Sequence, residues 1–302
     1  MARRFRFLFP TLLTFSLTGF ALAGFLLPSF AAEELPKPFE DTSRLVSIGG
    51  SLTEIVFELG KEDSLVGRDS TSMFPPEATE LPDVGYMRQL APEGVLSVAP
   101  TSILMLEGSG PPEALDVLQK ASVPIVLVPE TFDREGILRK IHFTGAALGE
   151  EEKADELAEK VSRDIEDAEK LTADITEPKR VLFILSMQGG RVLASGANTA
   201  ANGVIEMAGG VNVIQEFEGY KQISDEVLTK VQPDVILMMN RSEQLDTHNA
   251  EIMANPALAA TPAAVNGKIV RMDGGYLLGF GPRTGEAVRD LATELYGEQV
   301  AN

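Results

Sequence analysis

The 302-residue sequence contains no cysteine and no tryptophan, only two histidines and four tyrosines, and few bases for its acids, 26 Lys and Arg against 45 Asp and Glu. The missing cysteine excludes disulfides, thiolate metal sites, cysteine nucleophiles and a lipid anchor on an N-terminal cysteine. His142 falls in a helical stretch and His248 in a polar one, and neither has a His-x-x-x-His or His-x-x-Glu-His spacing, so a helical metal site is not indicated. The excess of acid excludes nucleic acid and anionic membrane surfaces as partners. The glycine-rich stretch from Gly189 to Gly196 lacks both the Lys-Ser/Thr pair of a phosphate loop and the spacing of a dinucleotide fingerprint. It reads as a hairpin turn leading to a helix near Asn198.

What is present begins with Arg3, Arg4 and Arg6, followed by an uncharged apolar stretch to about Phe30. That layout predicts a signal peptide over residues 1–31, cleaved before Ala32, although Ala21-Leu22-Ala23 also fits a cleavage site and an uncleaved anchor has the same appearance. Removing three of the 26 bases and no acid leaves 23 against 45, a formal charge of −22 on a chain expected to be free in a periplasm.

From Leu45 onward short β-branched runs alternate with helical segments: Leu45-Val46-Ser47-Ile48, then a helix opened by the capping-box spacing Ser51-x-x-Glu54 and closed at Gly60. Strands are predicted at Leu65-Val66, Ile103–Leu106, Pro124–Val128, Val181–Leu185, Val235–Met238 and Lys268–Met272. Between Glu150 and Ile175, apolar residues at steps of three and four predict one long amphipathic helix. The reading is α/β: two Rossmann-like lobes with mostly parallel sheets, an N-terminal one over 32–149 and a C-terminal one over 178–302, joined by the helix at 150–177.

The lobes share a local repeat. Glu93 to Pro100 followed by Thr101-Ser102-Ile103-Leu104 matches Glu226 to Pro233 followed by Asp234-Val235-Ile236-Leu237: an acid, a short helix, a proline seven residues on, then a buried strand. From composition alone the two glutamates are solvated acids in a helix's first turn, where the dipole favours them.

Tyr86 stands in the loop Leu81-Pro82-Asp83-Val84-Gly85-Tyr86-Met87-Arg88, which Pro82 and Gly85 mark as irregular. By itself it reads as a half-buried loop tyrosine. The stretches Val66–Pro75, Leu81–Leu90, Ala194–Ala201 and Met272–Thr284, in order along the whole chain after the signal segment, closely resemble the periplasmic haem-binding proteins of Gram-negative haem ABC importers.

This resemblance implies a haem cleft between the lobes, with Tyr86 binding ferric iron as a phenolate, a hard anionic ligand suited to Fe(III). It implies that Arg241 donates to the phenolate from the opposite lobe, where the residues alone allow a strand-end arginine paired with Glu243. Arg88 is implied to meet a propionate, with Arg68 and Arg283 as weaker candidates. Met73, Phe74, Met87, Met187, Tyr276 and Phe280 are expected to give apolar cover to the porphyrin. Some family members bind a second, stacked haem through a histidine in the segment matching Ser186-Met187-Gln188; this chain has none there, so one haem is expected, with Met187 a weaker sixth ligand. In the wider class of helical-hinge binding proteins a glutamate on each lobe docks on the transporter, which assigns Glu93 and Glu226 to an ABC permease dimer and leaves the chain a monomer. No catalytic group is expected. The alternatives are a binding protein of the same architecture for a ferric siderophore or a corrinoid and, more distantly, an α/β enzyme acting on a sugar or nucleotide, for which an acid/base pair is not found.

Overall fold

The computed structural model describes residues 34–240 and 249–300. The segment read as a signal peptide, and with it Arg241 and His248, lies outside the described residues. The N-terminal lobe is built from β1 (Leu45–Ile48), α1 (Gly50–Glu58), β2 (Leu65–Arg68), α2 (Pro92–Ser97), β3 (Ser102–Leu106), α3 (Pro112–Lys120), β4 (Ile125–Val128) and α4 (Arg134–Leu148). Its four strands are all parallel, in the order β2-β1-β3-β4. Strands covered on both faces need continuous apolar runs, and β1 and β3 are buried at every position.

The long helix α5 (Glu151–Lys170) follows. At 1.5 Å per residue its 20 residues extend about 30 Å. Ala154, Leu157, Ala158, Val161, Ile165 and Ala168 form its buried stripe, as the periodicity predicts, and it packs on α4 of one lobe and on the last helix of the other. Two glycines seat it. A Cβ on Gly145 of α4 would stand 2.3 Å from the Ala154 methyl, and one on Gly285 would stand 2.7 Å from the Asp164 carbonyl carbon.

The C-terminal lobe runs β5 (Arg180–Gln188), β6 (Arg191–Ser195), α6 (Ala200–Met207), β7 (Val211–Asn212), β8 (Tyr220–Ile223), α7 (Asp225–Val231), β9 (Val235–Asn240), α8 (Asn249–Ala254), α9 (Pro256–Ala259), α10 (Pro262–Val265), β10 (Ile269–Asp273), α11 (Gly274–Leu278) and α12 (Thr284–Tyr296). Its sheet order is β10-β9-β5-β6-β8, with β7 also paired to β5. The parallel part, β7-β5-β9-β10, repeats the β2-β1-β3-β4 connectivity of the first lobe. The antiparallel strands β6 and β8 are an addition at one edge. The expected hairpin turn is at Gly189-Gly190, both at positive φ, and α6 starts at Ala200 with Thr199 as its cap.

One local signal has a different use from the one its spacing suggests. Helix α1 is entered through Gly49 at φ 122° with no side-chain cap. Ser51 and Glu54, the predicted capping box, are instead bonded to Lys140 and Arg283, far along the chain. A tertiary partner outcompetes the local amide because both side chains point into the interface between the lobes.

Candidate functional site

The loop after β2 carries Tyr86, and one fully buried carboxylate organises it. Asp69 accepts from the Gly49 amide at 3.0 Å, the Thr71 amide and hydroxyl, the Ser72 hydroxyl at 2.9 Å and the Met87 amide at 3.3 Å. Ser72 continues through Thr53 to Ser47, which ties the loop to α1 and β1. The second half of the loop is pinned by Asp83, which accepts from the Gly85 amide and from Arg68 at 3.1 Å. Gly85, at φ 110°, then turns the chain in a conformation that side chains disfavour. Tyr86 emerges from that turn 42% exposed, with Met87 buried beside it.

Several expected site residues are placed elsewhere. Arg68 is itself buried and pairs with the exposed Asp83, bracing the loop from below, so it does not face a ligand. Met87 belongs to the N-lobe core, because the backbone that exposes Tyr86 turns its neighbour inward. Phe280 is 1% exposed and packs edge-on against Phe132 at 5.3 Å. Met187 is buried in the C-lobe cluster with Leu182, Ile184 and Val192. Phe280 presents no free face for a porphyrin, and Met187 borders a cavity of its own lobe that does not include Tyr86. Met73 and Phe74 are exposed on the Tyr86 loop.

Arg88 is exposed and has no hydrogen bond or ion pair among the described residues. Its charge bears on a residue that sequence reasoning missed, Tyr220 on β8 of the opposite lobe. Burial pushes the Tyr220 phenol up, and the Ala201 amide, the Thr199 hydroxyl and the Arg88 guanidinium pull in the other direction. Its ring packs on Phe183. The surroundings of Tyr220 are rigid: Thr199 caps α6, and Asn212 donates to the Ser195 and Gly196 carbonyls. Tyr220 follows a glycine in a polar stretch, and its scarcity as a tyrosine was the available signal.

Two reciprocal cations join the lobes next to this region. Lys140 of α4, wholly buried, donates to Glu130 Oε1 at 2.6 Å, to Ser51 Oγ at 3.1 Å and across to the Phe280 carbonyl at 2.8 Å. Burial lowers its pKa, with Glu130 opposing. Arg283 of the C-terminal lobe reaches back and pairs Glu54 of α1 through Nε (2.9 Å) and a terminal nitrogen (2.6 Å). Its guanidinium lies 3.8 Å from the Phe74 ring centre and 5.3 Å from that of Tyr276, whose hydroxyl is bonded to Asp290. Arg283 is therefore already engaged, which sets it apart from Arg88.

A cavity of about 930 Å³ lies within the C-terminal lobe, bordered by Met187, Gly190, Asp225, Glu251 and Asn255. Its two carboxylates make it a poor place for an anionic ligand, and Tyr86 is not part of it.

The repeat is realised in detail. Glu93 is exposed in the first turn of α2 and Glu226 in that of α7, and these helices lead into β3 and β9, the equivalent strands. Each helix ends in a non-glycine residue at positive φ, Ala99 at 46° and Gln232 at 40°. In each lobe an arginine donates to the last carbonyls, Arg44 to Val98 and Ala99, Arg180 to Val231 and Gln232. The two glutamates differ in one respect: Glu226 is paired with Lys230 at 2.7 Å, and the equivalent position to Lys230 is Ser97.

Residues 45–276 match the periplasmic binding protein family. Among solved structures the chain is similar to the periplasmic heme-binding protein RhuT from Roseiflexus sp. RS-1, with 36% identity and a TM-score of 0.81 over 86% of this chain and 100% of that one. It is also similar to the periplasmic heme-binding protein BhuT, in complex with two hemes, with 34% identity and a TM-score of 0.79 over 85% and 99% of the two chains. The vitamin B12-binding protein of Yersinia pestis is 26% identical over 77% of this chain and 81% of its own length. With its duplicated parallel sheets, its bridging helix and these likenesses, the chain belongs to the periplasmic binding protein family, whose members bind solutes outside the cytoplasm.

Proposed function

We propose that this protein captures haem between its lobes, with the Tyr86 phenolate as iron ligand, and delivers it to an ABC importer in the inner membrane. The observation that carries this reading is the likeness to heme-binding RhuT over that protein's full length, combined with an exposed tyrosine on a loop held by a buried aspartate. An oxygen ligand suits Fe(III), and the metal's charge favours ionisation of a phenol whose ordinary pKa is about 10. Arg88, exposed and without an ion pair among the described residues of a strongly acidic chain, is suited to a propionate. Met73, Phe74 and the Tyr276 ring supply apolar surface, and Arg241 would act from the opposite lobe. With no histidine in 186–188, one haem is bound, in contrast to the two of BhuT.

The lobes are taken as 32–149 and 178–302, with the signal segment removed on export. Glu93 and Glu226, on equivalent helices, are assigned to a two-fold permease whose basic residues would receive them. No chemistry is performed on the cargo.

Titration of the purified protein with hemin tests the reading: a Soret band saturating at one equivalent is expected, and Tyr86→Ala should lose the band's shape and most of the affinity. Unchanged binding by Tyr86→Ala refutes the ligand. Saturation at two equivalents refutes the stoichiometry. Binding of cyanocobalamin but not hemin would favour the corrinoid alternative, which the Yersinia relative represents. Charge reversal at Glu93 or Glu226 should impair uptake and spare hemin binding.

A further inference from the structure

We propose that Arg283 is a positioning residue for the ligand loop: its guanidinium, held by Glu54, fixes the Phe74 ring and through it the segment from Asp69 to Leu90 that carries Tyr86. This rests on the haem reading for its meaning, but the geometry is independent of any ligand.

The loop's two ends are well fastened, through Asp69 and Asp83. Its middle is not. Phe74 is 39% exposed and belongs to neither apolar cluster, and Met73 before it is 61% exposed. The ring contact of Phe74 is the guanidinium of Arg283, at 3.8 Å. That cation is itself immobilised, by two bonds to a carboxylate only 10% exposed and by the Tyr276 ring on the same guanidinium. The contact is therefore between a fixed plane in one lobe and a free ring in the other, and the free partner is the one that gains order. A planar cation that stacks while its edge bonds a carboxylate is what arginine offers and lysine does not.

The consequence is a link between lobe arrangement and site geometry. Glu54 lies on α1 and Arg283 at the start of α12, so any rotation of the lobes that parts this pair releases Phe74 as well. The residues beside the ligand are then ordered when the lobes are together and freed when they part, which favours capture in the first state and release in the second.

The test uses R283K, which keeps the charge and loses the stack, and F74A, which removes an exposed ring and leaves the core untouched. Hydrogen exchange in the ligand-free protein reads the loop through the amides of Met73, Ala78 and Leu81, each bonded within it. Both variants should exchange there several-fold to about tenfold faster than wild type, and the double variant no faster than R283K, since F74A removes a contact that R283K has already lost. Hemin dissociation from R283K, followed by transfer to apomyoglobin, should quicken by a similar factor with the Soret maximum unmoved. Wild-type exchange in R283K, or additive effects in the double variant, overturns the proposal. A wild-type protein with no Soret band would overturn the haem reading instead, and the exchange result would still decide the role of Arg283.

Discussion

Replacing Lys140 by methionine isolates the energetics of the interlobe contact. The ammonium is fully buried and has three acceptors, Glu130, Ser51 and the Phe280 carbonyl. Methionine fills a similar volume and donates nothing. The Phe280 carbonyl then loses its donor in a residue 1% exposed, a loss of about 1–3 kcal/mol. Glu130 loses its counter-ion, but its side chain is 17% exposed, so water and a raised proton affinity relieve part of that cost. On the other side, the native state no longer carries a buried ammonium whose desolvation lowers its pKa. The net expectation is a destabilisation of about 2–4 kcal/mol, or roughly 5–15 °C in Tm for a chain of this size. Urea unfolding with linear extrapolation measures it. The double variant Glu130→Gln/Lys140→Met should recover about half of the loss, because no uncompensated charge is left while the carbonyl stays unpaired. Wild-type stability in Lys140→Met, or a double variant no better than the single, would refute the reasoning.

Two further outcomes follow from the same interface. Gly285→Ala places a methyl against the backbone of α5, which cannot yield as a side chain would, so thermal unfolding should show a loss of about 1–3 kcal/mol; an unchanged Tm contradicts the seating of that helix. Burial raises the Glu54 pKa even though Arg283 opposes it, so the native state holds this proton more tightly than the unfolded chain does. Its contribution is fully present below the ordinary glutamate pKa of about 4.3 and is lost as pH rises through the folded value. The stability difference between wild type and Glu54→Gln should therefore shift in favour of wild type as pH falls through the window just above that value, and a pH-independent difference would contradict it.

Much of the scaffold was legible in the sequence because it is local or periodic. The apolar stripe of α5, the continuous apolar runs of β1 and β3 and the Glu-to-Pro repeat each encode their structure within a short window. The site was legible only in part. Whether Phe280 or Met73 faces a ligand depends on what packs above it: Phe280 is taken by Phe132, and Met73 by nothing in either core. Ser51 and Glu54 carried a correct-looking helix signal, yet their partners lie 89 and 229 residues away. Tyr220 became visible only when β8 packed its ring on Phe183.

The arginine that closes each repeated helix allows one more deduction. The same local structure occurs twice in one chain under different sequences, so the chain is its own comparison. Serine in one copy stands where lysine stands in the other, alanine where glutamine does, threonine where aspartate does: Ser97 and Lys230, Ala99 and Gln232, Thr101 and Asp234. Even so, the Thr101 hydroxyl and the Asp234 carboxylate each accept from the amide of their arginine. Common to both copies are the glutamate, the arginine, the left-handed residue with the valine before it and the proline after it, and the Ile-Leu-Met of the strand. The closing turn needs the arginine, the left-handed residue and the proline, while the differing positions carry no such requirement, a separation of necessity from accident that ordinarily takes many sequences and here takes two halves of one.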